Sequence, residues 1–330
     1  MKNFWENLEK PVIVLAPMAD VTDVSFRRVI AKYGKPDVMW TEFVSADGLV
    51  RAPSDNPDDS GLSSKEKLLK DLEYDESERP IVAQLFSGRP EMLEQASALA
   101  QELGFDGIDI NMGCPDRGIE KQKSGASLMR DYDLAVELVR AVKRGAPNIP
   151  VSVKTRLGYN QDQLEEWLPI LLKEEPAVVT IHARTRKEMS KVPARWERIK
   201  CAVEIRDEMK SNTLIFGNGD VVSLEDAEAK VKETGCDGVM IGRGIFGNPW
   251  FFNKKISRDN DVSVKERLNV LLEHIGLFEE LLPHKSFSVM KKHFKAYVDG
   301  FDGAKELRGD LMETQNKDEA EKVIERFLKK

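Results

Sequence analysis

GIDINMGCP, residues 107–115, is an apolar strand, Gly107 to Ile110, that runs without a break into Asn111, Gly113, Cys114 and Pro115. A strand that hands over at its C-terminal end to small, polar and chemically capable residues is the unit from which the rest of the chain reads. Short β-branched or apolar runs with the same kind of ending recur at PVIVLAP (11–17), DVMWTEF (37–43), PIVAQLF (80–86), FDGIDIN (105–111), IPVSVKTR (149–156), AVVTIHAR (177–184), TLIFGNG (213–219) and CDGVMIGRG (236–244). Between them lie segments with helical periodicity and start signals: SFRRVIAKYG, RPEMLEQASALAQELG, DYDLAVELVRAVKRG, QLEEWLPILLK, ARWERIKCAVEIRDEM and SLEDAEAKVKETG. Gly34, Gly104, Gly145 and Gly235 end four of them, as left-handed helix C-caps would.

Eight strands alternating with helices over about 250 residues have the rhythm of an α/β fold, a (β/α)8 TIM barrel, with a doubly wound sheet as the competing architecture. A barrel collects its active site at the C-terminal ends of many different strands. Here those ends carry Met18 and Asp20, Glu42, Gln84, Asn111 and Cys114, Lys154 and Arg156, His182 and Arg184, Asn218 and Asp220, and Arg243. After PWFFN (249–253) the strand rhythm stops. The chain is expected to divide into a barrel over 1–255 and a small all-helical C-terminal domain over 256–330; the polar stretch APSDNPDDSGLSSKEK (52–67) reads as a surface loop.

With 330 residues and 41% hydrophobic content the chain can bury a large core. Its longest apolar stretch, PVIVLAPMA, is far short of the roughly 20 residues a bilayer span needs. The N-terminus MKNFWENLEK has no apolar core of a leader, so a soluble cytoplasmic protein is expected, with no membrane partner. Cys114, Cys201 and Cys236 are odd in number and lack metal or disulfide spacing, which predicts free thiols and no metal. A formal net charge of −7 argues against a nucleic-acid partner unless positive charge is concentrated locally. ARTRKEMSKVPARWERIK (183–200) is such a concentration, with seven Lys or Arg against two acids, and the C-terminal segment adds Lys285, Lys291, Lys292, Lys295, Lys305 and Arg308.

NGD (218–220) and IGRG (241–244), ending strands seven and eight, occupy the place where barrels hold a phosphate on glycine-lined N–H groups, with Arg243 able to add a charge-assisted bond. Lys154 ends an apolar strand as a cation facing the barrel mouth, suited to an anion such as a reduced flavin ring. His182 ends its strand in the same way, and Gln84 offers an amide for a ring edge. Cys114 has three possible roles: a small hydrophobe, a nucleophilic thiolate, or, with an ordinary pKa near 8.5, a general acid.

Taken in order, APM (16–18), AQLF (83–86), GFDGIDINMGCP (104–115), PVSVKTRLG (150–158), IHART (181–185), GNGD (217–220) and IGRGIFGNPW (241–250) resemble the tRNA-dihydrouridine synthase family of flavoproteins; KKHFKAYVDGFDGAKELRGDLM (291–312) is more weakly similar to that family's C-terminal helical domain. The resemblance implies FMN as cofactor, with Ala16, Pro17 and Met18 along one face, Gln84, Lys154 and His182 at its ring or side chain, and Asn218, Gly219, Asp220, Gly242 and Arg243 at its phosphate end. It implies Asn111 and Arg156 as uracil contacts and Cys114 as catalytic acid. Arg184, Lys291, Lys292 and Arg308 are then expected to contact tRNA. Hydride would pass from reduced FMN to C6 of a flipped-out uridine and a proton from Cys114 to C5, with NADPH restoring the flavin. A monomer is expected.

The sequence departs from the family pattern where Ser190 stands for a Tyr, Lys123 for a glycine, and SKVPARW lacks a glycine, which suggests a divergent branch. Two other readings compete. One is an FMN-dependent pyrimidine or dihydroorotate-type dehydrogenase acting on a free base, which would need no basic surfaces. The other is a non-flavin phosphate-binding barrel or an RNA-binding protein without catalysis.

Overall fold

The structure is a computed structural model that describes residues 3–54, 57–58, 60–256 and 261–329. All eight expected strands are present: β1 (Val12–Leu15), β2 (Met39–Ser45), β3 (Ile81–Phe86), β4 (Gly107–Asn111), β5 (Val151–Arg156), β6 (Val178–His182), β7 (Leu214–Asn218) and β8 (Gly238–Ile241). They pair in the order β1-β8-β7-β6-β5-β4-β3-β2, every pair parallel. The two ends of that order meet at a parallel bridge between Val14 and Val38, where Leu15 N donates to Val38 O (3.2 Å) and Asp37 N to Ile13 O (2.9 Å). The sheet therefore closes into a barrel, and the doubly wound alternative is set aside.

Because side chains alternate across a strand, each strand points one set of residues inward and the other toward the helices. Ile13, Leu15, Ile108, Ile110, Val151 and Val153 join the core beneath the helices. Val12, Val14, Val82, Val178, Phe216 and Met240 fill the barrel interior, plugged from below by Trp5, whose ring lies 5.8 Å from Trp40 and 5.6 Å from Phe216. The same alternation carries Asp109 and Asn111, Ser152, Lys154 and Arg156, and His182 to the inner face. Register then sets them at one level, since Asn111 lies beside Lys154, Arg156 beside His182, and His182 beside Asn218.

The helices around the barrel are α1 (Val24–Tyr33), α2 (Ala46–Arg51), α3 (Ser64–Asp71), α4 (Pro90–Glu102), α5 (Arg117–Lys121), α6 (Tyr132–Gly145), α7 (Leu164–Leu172), α8 (Trp196–Glu208) and α9 (Leu224–Thr234). Three of these, α2, α3 and α5, were not expected. The end of the 52–67 loop is helical because Ser63 and Glu66 form a reciprocal capping box that starts α3; positions 55, 56 and 59 of that loop lie outside the described residues. Two of the four glycine caps are also corrected. Gly235 and Gly104 adopt φ of +73° and +84°, but Gly34 is extended and Gly145 is the last helical residue. Those two are required by close approach: a Cβ on Gly34 would lie 2.6 Å from Pro249 O, and one on Gly145 2.1 Å from Glu94 O.

The C-terminal helices α10 (Val264–Leu281), α11 (Met290–Tyr297), α12 (Ala304–Met312) and α13 (Lys317–Leu328) enclose a second core, which also takes in Val24 and Val29 of α1 and Trp250. This anchors them beside the β1 and β2 side of the mouth. No helix among the described residues is long and apolar enough to cross a membrane.

Candidate active site

A cavity of about 530 Å3 opens at the C-terminal mouth of the barrel. The barrel residues expected to meet cofactor or uracil line it: Ala16, Pro17 and Met18 after β1, Gln84 on β3, Asn111 and Cys114 after β4, Lys154 and Arg156 on β5, His182 and Arg184 at β6, Asn218, Gly219 and Asp220 at β7, and Gly242 and Arg243 at β8. Asp20 and Glu42, also singled out at strand ends, lie outside its lining, Glu42 being engaged by Lys285 and by Asp20 N. Convergence of eight strand ends is what brings residues from Ala16 to Arg243 into one cavity.

Lys154 is half-buried, with Nζ 3.4 Å from Asn218 Oδ1. Burial, aided by the positive charge of Arg156, brings its pKa down to about 8, so it is a cation held in reserve for an anionic partner. Burial likewise lowers Arg156 to about 10. Its Nε donates to Gly113 O (2.7 Å), and its Nη1 lies 3.4 Å from Thr185 O and 3.3 Å from Met189 O. One guanidinium thus ties the Cys114 turn to the loop after β6. His182 is kept far below its ordinary pKa, first by burial and then by Arg156, Lys154, Arg184 and Arg243. Arg184 Nη1 lies 3.1 Å from His182 Nε2. Since a guanidinium only donates, Nε2 is the acceptor and the ring proton sits on Nδ1.

Cys114 is half-buried, and burial pushes its thiol pKa up. The thiolate is disfavoured, which removes the ground for a nucleophile and keeps a proton at Sγ. Its turn is held by Asn111, whose Oδ1 accepts from Gly113 N (3.1 Å) and Cys114 N (2.9 Å).

At the opposite corner Asp220 accepts from Arg184 Nη2, from Ala194 N (2.9 Å) and from Arg243 Nη2 (3.0 Å). A carboxylate cannot itself bind a phosphate; here it aims two arginines. Arg243, 62% exposed, is free to turn toward an anion, whereas Arg184 is buried and also donates from Nε to Val192 O (2.6 Å). Each of the three guanidinium nitrogens of Arg184 therefore has a partner within the protein.

Lys291, Lys292 and Arg308 lie outside the cavity, on α11 and α12. Lys291 is half-buried. Lys292 Nζ is 3.7 Å from Asp20, and Arg308 Nη1 donates to Val298 O (2.8 Å) and Asp299 (3.2 Å). Lys285 is half-buried, held between Glu42 (2.8 Å) and Asp71 (2.9 Å). The positive excess of 183–200 is also reduced in the fold, because Arg184, Arg186, Arg195 and Arg198 pair with Asp220, Glu120, Asp162 and Glu165 from other segments. Lys187, Lys191 and Lys200 remain exposed.

Four lining residues were missed from the sequence: Phe43, Val221, Val222 and Met240. Phe43 packs edge-on against Phe86 (5.8 Å) two residues before the end of β2, and its place as the last residue of the expected run DVMWTEF (37–43) was the signal that could have found it. Nothing local distinguishes Met240, an inward residue of an apolar strand. Among the described residues no group of three or more His, Cys, Asp or Glu is arranged to hold a metal.

A dihydrouridine synthase family model matches residues 14–330. The chain is 40% identical over 329 residues to a probable tRNA-dihydrouridine synthase of Staphylococcus aureus (strain MRSA252), covering 99% of this chain and 96% of that one. It is 41% identical over 332 aligned residues to probable tRNA-dihydrouridine synthase 2 of Bacillus subtilis (strain 168), covering 100% and 98%. Among solved structures it is similar to histamine dehydrogenase from Rhizobium sp. 4-9 (11% identity, TM-score 0.54, 80% of this chain and 48% of that chain). It is also similar to 6-hydroxypseudooxynicotine amine oxidase from Pseudomonas geniculata N1 (12%, 0.54, 81% and 50%). The chain spans about half the length of these two, and at such identity they speak only to the barrel fold. A barrel mouth lined by these motifs and a family match along nearly the whole chain lead to one conclusion: the chain belongs to the dihydrouridine synthase family.

Proposed function

We propose that the protein reduces the C5–C6 double bond of a flipped-out uridine in tRNA, with FMN as its cofactor and NADPH as the reductant. The observation that carries this reading is a thiol kept protonated at Cys114 in the same cavity as the Lys154 cation and the Gly242–Arg243 corner. The residues present fit FMN. The cavity of about 530 Å3 is of ligand size, Lys154 suits an electron-rich ring, and the exposed Arg243 guanidinium beside Gly219 and Gly242 suits a phosphate. Ala16, Pro17 and Met18 would line the ring, Gln84, Lys154 and His182 would meet its edge, and Asn218, Gly219, Gly242 and Arg243 would hold the phosphate end, with Asp220 aiming Arg243. Bound there, FMN would supply the hydride that uracil C6 accepts, and NADPH would restore it.

The chain's own residues supply the rest. Cys114 holds at Sγ the proton that C5 takes up. The second N–H of Asn111 Nδ2 and the unengaged N–H groups of Arg156 are left for the uracil carbonyls, where negative charge develops. Arg184 keeps the loop after β6 in place. A uridine inside folded RNA must leave its stack to reach this mouth, so RNA phosphates have to be gripped nearby. Lys187, Lys191, Lys200, Lys291, Lys292, Lys295, Lys305 and Arg308 are the cations assigned to that contact. We further assign cofactor binding and the 183–200 part of the tRNA contact to residues 1–255, and the rest of tRNA binding to 256–330, of a monomeric, cytoplasmic protein.

The test is to map dihydrouridine in tRNA from cells with and without the gene, and to add FMN to the purified protein. Loss of specific dihydrouridines, with a flavin absorbance that co-purifies or is restored by FMN, is expected. Unchanged tRNA and a protein that binds no flavin would overturn the reading.

A further inference from the structure

Beneath the Cys114 turn lies a buried carboxylate to which the mechanism above gives no part. Asp109 points into the barrel and is fully buried. Its Oδ1 accepts from Ser152 Oγ (2.6 Å) and its Oδ2 from Gln84 Nε2 (2.5 Å). Gln84 Oε1 in turn accepts from Asn111 Nδ2 (3.1 Å), and Asn111 Oδ1 accepts from Gly113 N (3.1 Å) and Cys114 N (2.9 Å). Gln84 is 0% and Asn111 6% exposed, so the links from Asp109 to Asn111 are shielded from bulk water.

We propose that Asp109 is a positioning residue that sets the direction of a hydrogen-bond relay through Gln84 and Asn111, and thereby holds the Gly113–Cys114 turn. The argument is one of polarity. A carboxylate offers only acceptors, and two backbone N–H groups offer only donors. The two amides between those ends satisfy both in a single orientation: each turns its NH2 toward Asp109 and its oxygen toward the turn. If either amide flips, a donor faces a donor or an oxygen faces an oxygen among buried side chains, where an unmet polar group is strongly unfavourable. This inference deepens the proposed function, since it concerns what places the catalytic acid of that reading, but it stands on hydrogen bonds within the protein alone.

The relay predicts an unusual pattern among isosteric variants. Asn111→Asp should frustrate it, because Gln84 then lies between two carboxylates and must turn its oxygen toward one of them. Asp109→Asn should be tolerated, since its oxygen can face Gln84 while its amide faces the Ser152 hydroxyl. The double variant Asp109→Asn/Asn111→Asp should recover, because Gln84 can flip and the relay run in reverse while the carboxylate now at position 111 still accepts from the turn. The readout is the rate at which Cys114 of the flavin-free protein is alkylated by iodoacetamide, followed by peptide mass spectrometry. It needs neither flavin nor tRNA, so failure of the functional reading and failure of the relay are told apart.

Asp109→Asn and the double variant are expected within about twofold of wild type, and Asn111→Asp to differ by about tenfold, as an unmet buried group would require. A double variant that reacts like Asn111→Asp, or departs further, would overturn the proposal, because a simple need for the Asp109 charge makes the two changes add. Should Asn111→Asp not accumulate folded protein, recovery of folded protein by the double variant supports the relay, and its failure beside a folded Asp109→Asn overturns it.

Discussion

Replacing Lys285 by Met removes a cation that joins the C-terminal helices to the strand end of β2. Its Nζ lies 2.8 Å from Glu42 Oε2 and 2.9 Å from Asp71 Oδ1, and the Lys285 and Glu42 side chains are 14% and 7% exposed. The other oxygen of Glu42 accepts from Asp20 N, next to the cavity wall at Met18. Breaking a buried pair from one side costs about 3–5 kcal/mol, because a charge is left without a partner. The carboxyl has an escape, which is to take up a proton. At pH 7, against an ordinary pKa of about 4.3, that costs about 3.7 kcal/mol and so caps the loss, and at pH 5.5 the cap falls to about 1.6 kcal/mol. Burial already pushes the Glu42 pKa up, opposed by Lys285, so the variant's native state holds a proton that its unfolded chain releases. Its deficit should therefore shrink as pH falls. With an unfolding entropy of about 2.1 cal/mol/K per residue, the melting temperature should drop by about 4–5 °C at pH 7 and about 2 °C at pH 5.5 relative to wild type. Scanning calorimetry of both proteins across that range measures it. A gap below about 1 °C at pH 7, or one that widens on acidification, would refute the latch. tRNA affinity should change little, since Lys285 is not at the surface.

His274 and His293 face each other at 4.6 Å in the second core, both fully buried, with no hydrogen-bond partner for either ring nitrogen among the described residues. Burial lowers His274 to about 3 and His293 well below its ordinary value. Below pH 6.5 the unfolded chain binds protons that the native state refuses, so stability should fall by up to about 2.7 kcal/mol per pH unit. Urea titrations at pH 7, 6 and 5 measure the slope, to which the buried His182 also contributes, and His274→Phe should lower it by up to about 1.4 kcal/mol per pH unit; an unaltered slope contradicts the assignment. Cys114→Ala should lower single-turnover uridine reduction by about 10²–10⁴-fold while FMN affinity stays within about twofold, and full retention of the rate would exclude the thiol as acid. Arg243→Ala should weaken FMN by at least about tenfold in a fluorescence titration and leave riboflavin, which lacks the phosphate, unaffected; equal weakening of both would show that Arg243 does not meet the phosphate.

The barrel was legible along the chain because alternation of side chains is a local property. The runs from PVIVLAP to CDGVMIGRG announce strands buried on both faces, and a polar residue at the end of such a run has only the mouth to occupy. That reasoning located Gln84, Asn111, Cys114, Lys154 and His182 without knowledge of any partner. It also located the two glycine-rich corners at Gly219 and Gly242.

Charge is where local reading fell short. Residues 183–200 look basic in isolation, yet their arginines meet Glu120, Asp162, Glu165 and Asp220, which the chain supplies from up to 66 positions away. Lys285 looks like a surface cation and is the half-buried counterion of Glu42 and Asp71. Asp109 reads as one polar letter in an apolar strand, and becomes the end of a relay only once β3, β4 and β5 lie side by side. Gly34 and Gly145 read as left-handed caps, adopt no such conformation, and give clearance to a neighbouring backbone. Side-chain direction follows from the chain's own period, so fold and site position can be read residue by residue. Which charge meets which, and which amide faces which oxygen, depends on segments brought within about 3 Å by closure of the barrel, and no window along the chain contains both partners.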